Sequence, residues 1–429
     1  MYKMSPFFFL SVLCCAFCVS VPDGVSAQDV TAIRTRAVVD VLDKTIVENA
    51  VVVVTDNKIT AVGANATIPR GATIIDLRDQ YLMPGMIDAH THVTVAPDFA
   101  SNNPILNKSI PYRTIEAVAA ARATLMAGFT TIRDVDSEGA DWSDVALRDA
   151  INDGLVIGPR MQVATLAISI TGGYMNNDGF APHIDVPHYG ALADSPDAIV
   201  KTLRLQVRNG TDWIKLYATG TTGHVNLENM EPLPQFNDDD IQLVVDEAAR
   251  FGKPVAAHAY GGPAAYAAVE AGVRSIEHGM MLSDETLDLM VDKGTFWVPT
   301  ITVYFPHEPG AELTERQAAI TASHRRVFGK AVEKGVRIAY GTDAGWVPHG
   351  DNAIDFAKMV EYGMAPADAI RAATIVGAEL MELDSQVGSV TAGKLADLIA
   401  VRSNPLRNIA ALSDVTFVMK DGVVYKTSE

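Results

Sequence analysis

The stretch DAHTH (Asp88–His92) sets two histidines one residue apart at the end of an apolar run that follows YLMPGM. On a β-strand, residues two apart project to the same side, so His90 and His92 can meet one ion. An H-x-H pair alone is weak evidence for a metal. Four further residues strengthen it: Lys215 in DWIKLY, His258 in PVAAHA, His278 in SIEHG and Asp343 in AYGTDAG. Each ends an apolar run, where an ionisable group is rare unless it is paired or metal-bound. A shared metal centre accounts for the whole set.

The ligand types narrow the metal. Imidazole and carboxylate without thiolate suit Zn²⁺, with Mn²⁺, Co²⁺, Fe²⁺ or Ni²⁺ as alternatives. Lys215 is the informative member, because an ammonium repels a cation. Burial lowers a lysine pKa, and the neutral amine can capture CO₂ as a carbamate whose anionic oxygens bridge two metals. The competing readings of Lys215 are a stem packed on the barrel with its amine at the rim, or a salt bridge to Asp343.

The elements that must position these groups alternate along the chain. Eight apolar runs (GMIDAH, FTTIRD, RMQVATLAI, DWIKLY, KPVAAHA, RSIEH, TFWVPT and VRIAYGTD) are interleaved with helical stretches that include about 113–127, 195–208, 237–251, 313–334 and 366–380. This pattern predicts an α/β fold, a (β/α)8 TIM barrel over residues 85–387 with its chemistry at the strand C-termini. An open doubly wound sheet is the alternative, but the first strand carries no Gly-rich phosphate loop. Residues 28–84 and 388–429 are β-rich, with hairpin signals at TDNK and KDG, and predict one small β-sandwich domain built from both chain ends. GSVTAGKL (Gly388–Leu395) has Walker A spacing, but Leu395 stands where Ser or Thr would hold Mg²⁺, so it reads as a turn into the returning sheet.

Composition limits the partners. The 429 residues carry a net charge of −18, which argues against nucleic acid and against docking on anionic membrane. Residues 1–27 read as a signal peptide, with Lys3, a short apolar core and VSA before the cleavage point; the run is too short for a spanning helix. The mature chain is therefore expected in the periplasm or medium, free of the membrane. The three cysteines all lie inside that segment, which leaves no disulfide, no catalytic thiol and no thiolate ligand.

PGMIDAHTH, WIKLYATG, PVAAHAYGG, SIEHG and AYGTDAG together closely resemble the amidohydrolase superfamily, and the resemblance runs from about residue 35 to the end. Within it the chain is most similar to an exported branch of Xaa-Pro dipeptidase-like, Xaa-Arg/Lys carboxypeptidase-like and ochratoxin-hydrolysing enzymes. The resemblance implies His90, His92 and Asp343 on a more buried metal, and His258 and His278 on a more exposed one. It implies carboxylated Lys215 and a hydroxide bridging two divalent ions, with Zn²⁺ the leading candidate. Single-metal relatives such as deaminases and imidazolonepropionase-like enzymes do not use a strand-4 lysine carbamate. Symmetric homo-oligomers are common in the family and are expected here.

The chemistry so implied is amide hydrolysis of a dipeptide or N-acyl amino acid, ochratoxin-type amides included. Metal-bound hydroxide attacks the carbonyl, while Asp343 acts first as base and then as acid. Tyr217 shares a face with Lys215 and is a candidate to bind the substrate carbonyl, against a structural role in the core. Tyr174, in TGGYMN, stands where relatives often have a pocket histidine, so the side chains flanking the cleaved bond stay open. His349, in WVPHGDN, matches the family and is expected to support the site from behind. Arg133 reads as the partner of Asp134 or Asp136, with a substrate carboxylate as the alternative. His183, His188, His224, His307 and His324 read as solvated, His224 also as a candidate substrate contact. The alternative functions are a mononuclear hydrolase or deaminase of cyclic amides or heterocycles and, more remotely, a periplasmic binding protein without catalysis. The latter predicts a lost ligand, and none is lost.

Overall fold

The computed structural model describes residues 29–96, 103–177, 179–181, 183–306 and 310–427. The expected signal peptide lies outside them. Both chain ends build one sheet. Its strands are β1 (Val30–Asp40), β2 (Thr45–Glu48), β3 (Val51–Thr55), β4 (Lys58–Gly63) and β5 (Thr73–Pro84) from the first end. The barrel strands are β6 (Met86–Thr91), β7 (Phe129–Asp134), β8 (Arg160–Val163), its short continuation β9 (Ile168–Ser169) with neighbour β10 (Ala191–Leu192), β11 (Ile214–Tyr217), β12 (Val255–Gly261), β13 (Ser275–Met281), β14 (Phe296–Val298) and β15 (Arg337–Ile338). The second end returns as β16 (Leu398–Val401), β17 (Val415–Lys420) and β18 (Val423–Lys426).

The terminal sheet runs in the order β18-β17-β16-β5-β1-β3-β4, with β2 beside β1. Asp56 and the pair Asp421–Gly422 hold positive φ at the tips of the β3–β4 and β17–β18 hairpins, as two-residue turns require. The sheet curls until its β4 edge meets the returning segment, with Ile59 N donating to Lys394 O at 2.9 Å and Gly393 N to Ile59 O at 2.8 Å. One face then encloses Ile33, Val52, Val54, Leu82, Leu398 and Phe417, while Val39, Met83, Ile399 and Val418 on the other face join the barrel core. Each fully buried side chain of this size contributes about 1.5–3 kcal/mol. The Walker-like segment is the predicted turn: Lys394 Nζ donates to Val387 O at 2.9 Å.

In the barrel, β6-β7-β8 and β11-β12-β13-β14-β15 are parallel ladders. Two seams join them into a ring. Trp213 N donates to Val163 O at 3.1 Å between β8 and β11, and Ala89 N to Tyr340 O at 2.9 Å beside β6. The second seam continues at the site itself, where Asp343 N donates to His90 O at 2.9 Å and His92 N to Ala344 O at 2.7 Å. Asp88 tightens it by accepting from Thr342 Oγ1 at 2.6 Å and from Asn352 Nδ2 at 2.8 Å. Gly341 is required here, because a Cβ would overlap Val298 and His90.

A helix follows every barrel strand: Ile110–Met126, Ser143–Asn152, Pro196–Arg208, Asp238–Ala249, Gly262–Ala271, Asp284–Lys293, Glu315–Lys334 and Asp355–Glu361. Their ends follow local chemistry. Ser195, Asn237, Ser283 and Thr314 cap N-termini, and Gly272, Gly294 and Gly335 take left-handed C-caps. The predicted 366–380 helix forms as Pro366–Arg371, a π segment at Ala372–Val376 and Gly377–Leu380, with Ala372 O accepting from Tyr340 N. Among the described residues no helix is long and apolar enough to cross a membrane.

Candidate metal centre

His90, His92, Lys215, His258, His278 and Asp343 are all buried at the C-terminal mouth of the barrel. Ring centroids lie 5.3 Å apart for His90–His92, 4.8 Å for His90–His278 and 4.5 Å for His258–His278. Asp343 Oδ1 is 3.1 Å from His92 Nε2 and 3.4 Å from His90 Nε2. The backbone is strained where it turns these groups inward. His278 and Asp343 have φ of 73° and 64°, and Thr165 and Thr300 at the same rim have 59° and 45°.

Three of the four histidines are oriented from behind. His90 Nδ1 donates to Glu277 Oε2 at 2.7 Å, and His92 Nδ1 to Asp136 O at 2.9 Å. His278 Nδ1 faces Thr300 Oγ1 at 2.7 Å. This leaves the Nε2 atoms of His90 and His92 aimed into the site beside Asp343, the arrangement found around bound metals. Glu277 is clamped in turn: Arg133 Nη2 donates to its Oε1 at 2.8 Å, and Ser275 Oγ does so at 2.5 Å. Against burial, the charge of Arg133 and the His90 hydrogen bond hold the Glu277 carboxyl well below the usual range. Arg133 also donates to Ala89 O at 2.6 Å and lies 4.5 Å over the Trp213 ring. The partner expected for Arg133 was Asp134 or Asp136. The structure corrects this to Glu277, because the fully buried guanidinium points into the barrel toward β13.

The residues fit a metal. His90 Nε2, His258 Nε2 and Asp343 Oδ1 are buried without a hydrogen-bond partner, and ligand atoms of His90, His278 and Asp343 lie within 4.8 Å of one another. Such orphans are costly unless something outside the chain satisfies them. Burial, then the nearby Lys215 and His258 respectively, hold His258 and His278 well below the usual histidine range, so both are neutral, the ligating form. Lys215 is 1% exposed, and desolvation pulls its amine below the usual lysine range. No carboxylate lies within ion-pair distance of it among the described residues, so the salt bridge to Asp343 does not form.

The other expected residues separate. Tyr174 lines a cavity of about 240 Å³ with His258, His278, Asp343, Tyr260, Tyr304 and Arg316. Tyr217 is not in that wall: its Oη donates to Asp136 Oδ2 at 3.0 Å, and its ring meets Tyr174 edge-on at 4.8 Å. His349 sits behind the site, with Nε2 3.1 Å from His92 O and Nδ1 3.3 Å from Thr124 Oγ1. His183 and His224 are exposed, His224 at the edge of a second cavity. His188 is half-buried and accepts from Asn177 N at 3.3 Å, and His307 lies outside the described residues. His324 is not solvated: it is fully buried against Trp297 and Tyr304, which pushes it down to about 3. Glu277, Glu138, Tyr260, Tyr304 and Arg316 escaped the sequence reading. Only Glu277 left a signal, as a charge inside the apolar run SIEHG.

The amidohydrolase family model matches residues 81–427. Ochratoxinase of Aspergillus niger is 31% identical over 411 residues, covering 88% of this chain and 83% of that protein. A crystal structure of a Xaa-Pro dipeptidase with bound methionine in the active site is 34% identical, with a TM-score of 0.83 over 92% of this chain and all of the other. A prolidase complexed with N-methylphosphonate-L-proline is 28% identical, with a TM-score of 0.81 over 93% of this chain and 100% of the other.

Proposed function

The chain belongs to the amidohydrolase family and is a hydrolase of amide bonds, and from that premise we propose that it cleaves small amides of the dipeptide or N-acyl amino acid type at a binuclear metal centre. The observation that carries the reading is the convergence of four histidines and Asp343 around an unpaired buried lysine. His90, His92 and Asp343 would hold one ion, His258 and His278 the other, and carboxylated Lys215 both. The solved relatives named for Xaa-Pro dipeptide and proline-phosphonate binding support the substrate class.

Bound at these ligands, divalent ions would supply a water of lowered pKa and polarise the scissile carbonyl. Asp343 is the proton carrier. Its carboxylate oxygen, 3.1 Å from His92 Nε2 and 3.4 Å from His90 Nε2, is placed to accept the proton of the attacking water. As the carbon–oxygen bond forms and the carbon–nitrogen bond breaks, Asp343 passes that proton to the leaving nitrogen. Glu277 and the Asp136 carbonyl keep His90 and His92 in one orientation throughout. Tyr174, Tyr260 and Tyr304 wall the cavity and limit water around the reacting atoms.

Elemental analysis of reconstituted protein, with a screen of dipeptides and N-acyl amino acids, tests this. About two ions per chain and release of free amino acid are expected. One ion per chain, with ring opening or ammonia release, would favour a mononuclear hydrolase or deaminase instead. The segment 1–27 supports export, which fractionation of the native cell would check.

A further inference from the structure

The catalytic cavity adjoins a second of about 410 Å³, and the two share Tyr174, Thr221 and Trp346 as wall residues. Each carries one ionisable side chain that no hydrogen-bonded opposite charge pairs among the described residues: a guanidinium in the first, and in the second a carboxyl that burial, then the neighbouring Asp136, push up to about 8. In the first, Arg316 Nη1 donates to Thr222 O at 2.9 Å and Val225 O at 2.8 Å. Those carbonyls fix the guanidinium without neutralising it, and among the described residues no carboxylate pairs with it. In the second, Glu138 is fully buried and both its carboxylate oxygens lack a hydrogen-bond partner. His92 Nδ1, 3.7 Å from one of those oxygens, is already committed to the Asp136 carbonyl at 2.9 Å. Arg113 Nη2 donates to the backbone oxygen of Glu138 at 2.8 Å.

A buried carboxylate without a partner is destabilising, and a positioned guanidinium without an anion is a ready carboxylate receptor. A ligand ammonium would favour the ionised form of Glu138, the two groups are then of opposite sign, and the cavities that hold them adjoin along Tyr174, Thr221 and Trp346. We propose that the cleft selects zwitterionic amides, which means unblocked dipeptides: Glu138 takes the free ammonium of the acyl residue and Arg316 the free carboxylate of the leaving residue. This rests on the amide-hydrolase reading and decides within it, since N-acyl amino acids carry the carboxylate without the ammonium.

Alanyl-leucine and propionyl-leucine differ by the ammonium alone, so the ratio of their kcat/KM values on reconstituted protein isolates Glu138. Wild type should favour alanyl-leucine by about tenfold or more, the size of one charge-assisted hydrogen bond. Glu138→Gln should bring the ratio toward one through the KM of alanyl-leucine. Arg316→Met should raise KM for both compounds together and lose the distinction between alanyl-leucine and its C-terminal amide. Equal wild-type kcat/KM values for the pair would overturn this inference alone. So would a Glu138→Gln loss that is proportional for both and tracks a loss of metal, which would make Glu138 a support for His92. Cleavage of neither compound would overturn the broader reading and this one with it.

Discussion

The two histidine pairs of the centre are built in opposite ways. His90 and His92 stand in a network of charges and carbonyls: Glu277, Arg133 and Ser275 behind one ring, Asp136 O behind the other, and Asp88 pinning the seam. His258 and His278 stand among aromatic rings. Tyr174, Tyr217 and Tyr260 lie 5.0, 4.9 and 4.6 Å from His258, and Tyr304 lies 6.1 Å from His278. The first pair is held by directional bonds in a dry interior, where each bond is strong and each loss severe. The second pair is held largely by shape beside the open cavity, where contacts can be exchanged as a ligand enters. The difference separates the part of the site that must not move from the part that meets substrate.

Asp343 reaches toward both pairs, so the largest effect should come from it. Asp343→Asn should lower kcat by about 10²–10⁴-fold, the range for removal of a general acid–base, while elemental analysis still finds most of the metal. Wild-type turnover in that variant would remove Asp343 from the chemistry. The next effect tests the network side. Arg133→Met strands the Glu277 carboxylate in the interior and should destabilise the fold by about 3–5 kcal/mol in urea unfolding. A change under about 1 kcal/mol would show that Glu277 needs no counter-charge. Glu277→Gln keeps the shape and weakens the acceptor. Competition with a chelator should show metal affinity down about 10–100-fold, whereas Thr300→Val behind His278 should sit at the low end of that range or below it. Equal losses would erase the contrast between the pairs.

Much of this was legible in the sequence because strands announce themselves locally. Each ligand ends an apolar run, and strand C-termini converge in a barrel, so His90, His92, Lys215, His258, His278 and Asp343 could be placed together without knowing any distance. What positions them was not legible. His90 and Glu277 are 187 residues apart, and Arg133 meets Glu277 from a third strand. No periodicity encodes such pairs. The neighbours Glu277 and His278 would point oppositely on a regular strand, yet the positive φ of His278 turns its side chain to the rim. Tyr304 comes from the connection after β14 and Arg316 from the first turn of the helix Glu315–Lys334 that follows it, and where that connection carries them is set by tertiary packing. His324 was misjudged because a helix that carries charges on one face can still bury a lone imidazole on the other.

The smallest effect sharpens the boundary between the two regions. Tyr217 belongs to the aromatic side by its ring and to the network side by its hydroxyl, which donates to Asp136 Oδ2. Asp136 has other donors: its Oδ1 accepts from Glu138 N at 3.0 Å and Ala167 N at 3.2 Å. Tyr217→Phe should therefore remove one hydrogen bond of several and cost about 1 kcal/mol of stability. Because the hydroxyl is outside the cavity wall, kcat should stay within about threefold of wild type, less than half the logarithmic effect expected for Asp343→Asn. A kcat loss of about a hundredfold with unchanged stability would instead put that hydroxyl on the substrate carbonyl. The aromatic region would then act in the chemistry as well as shaping the cavity.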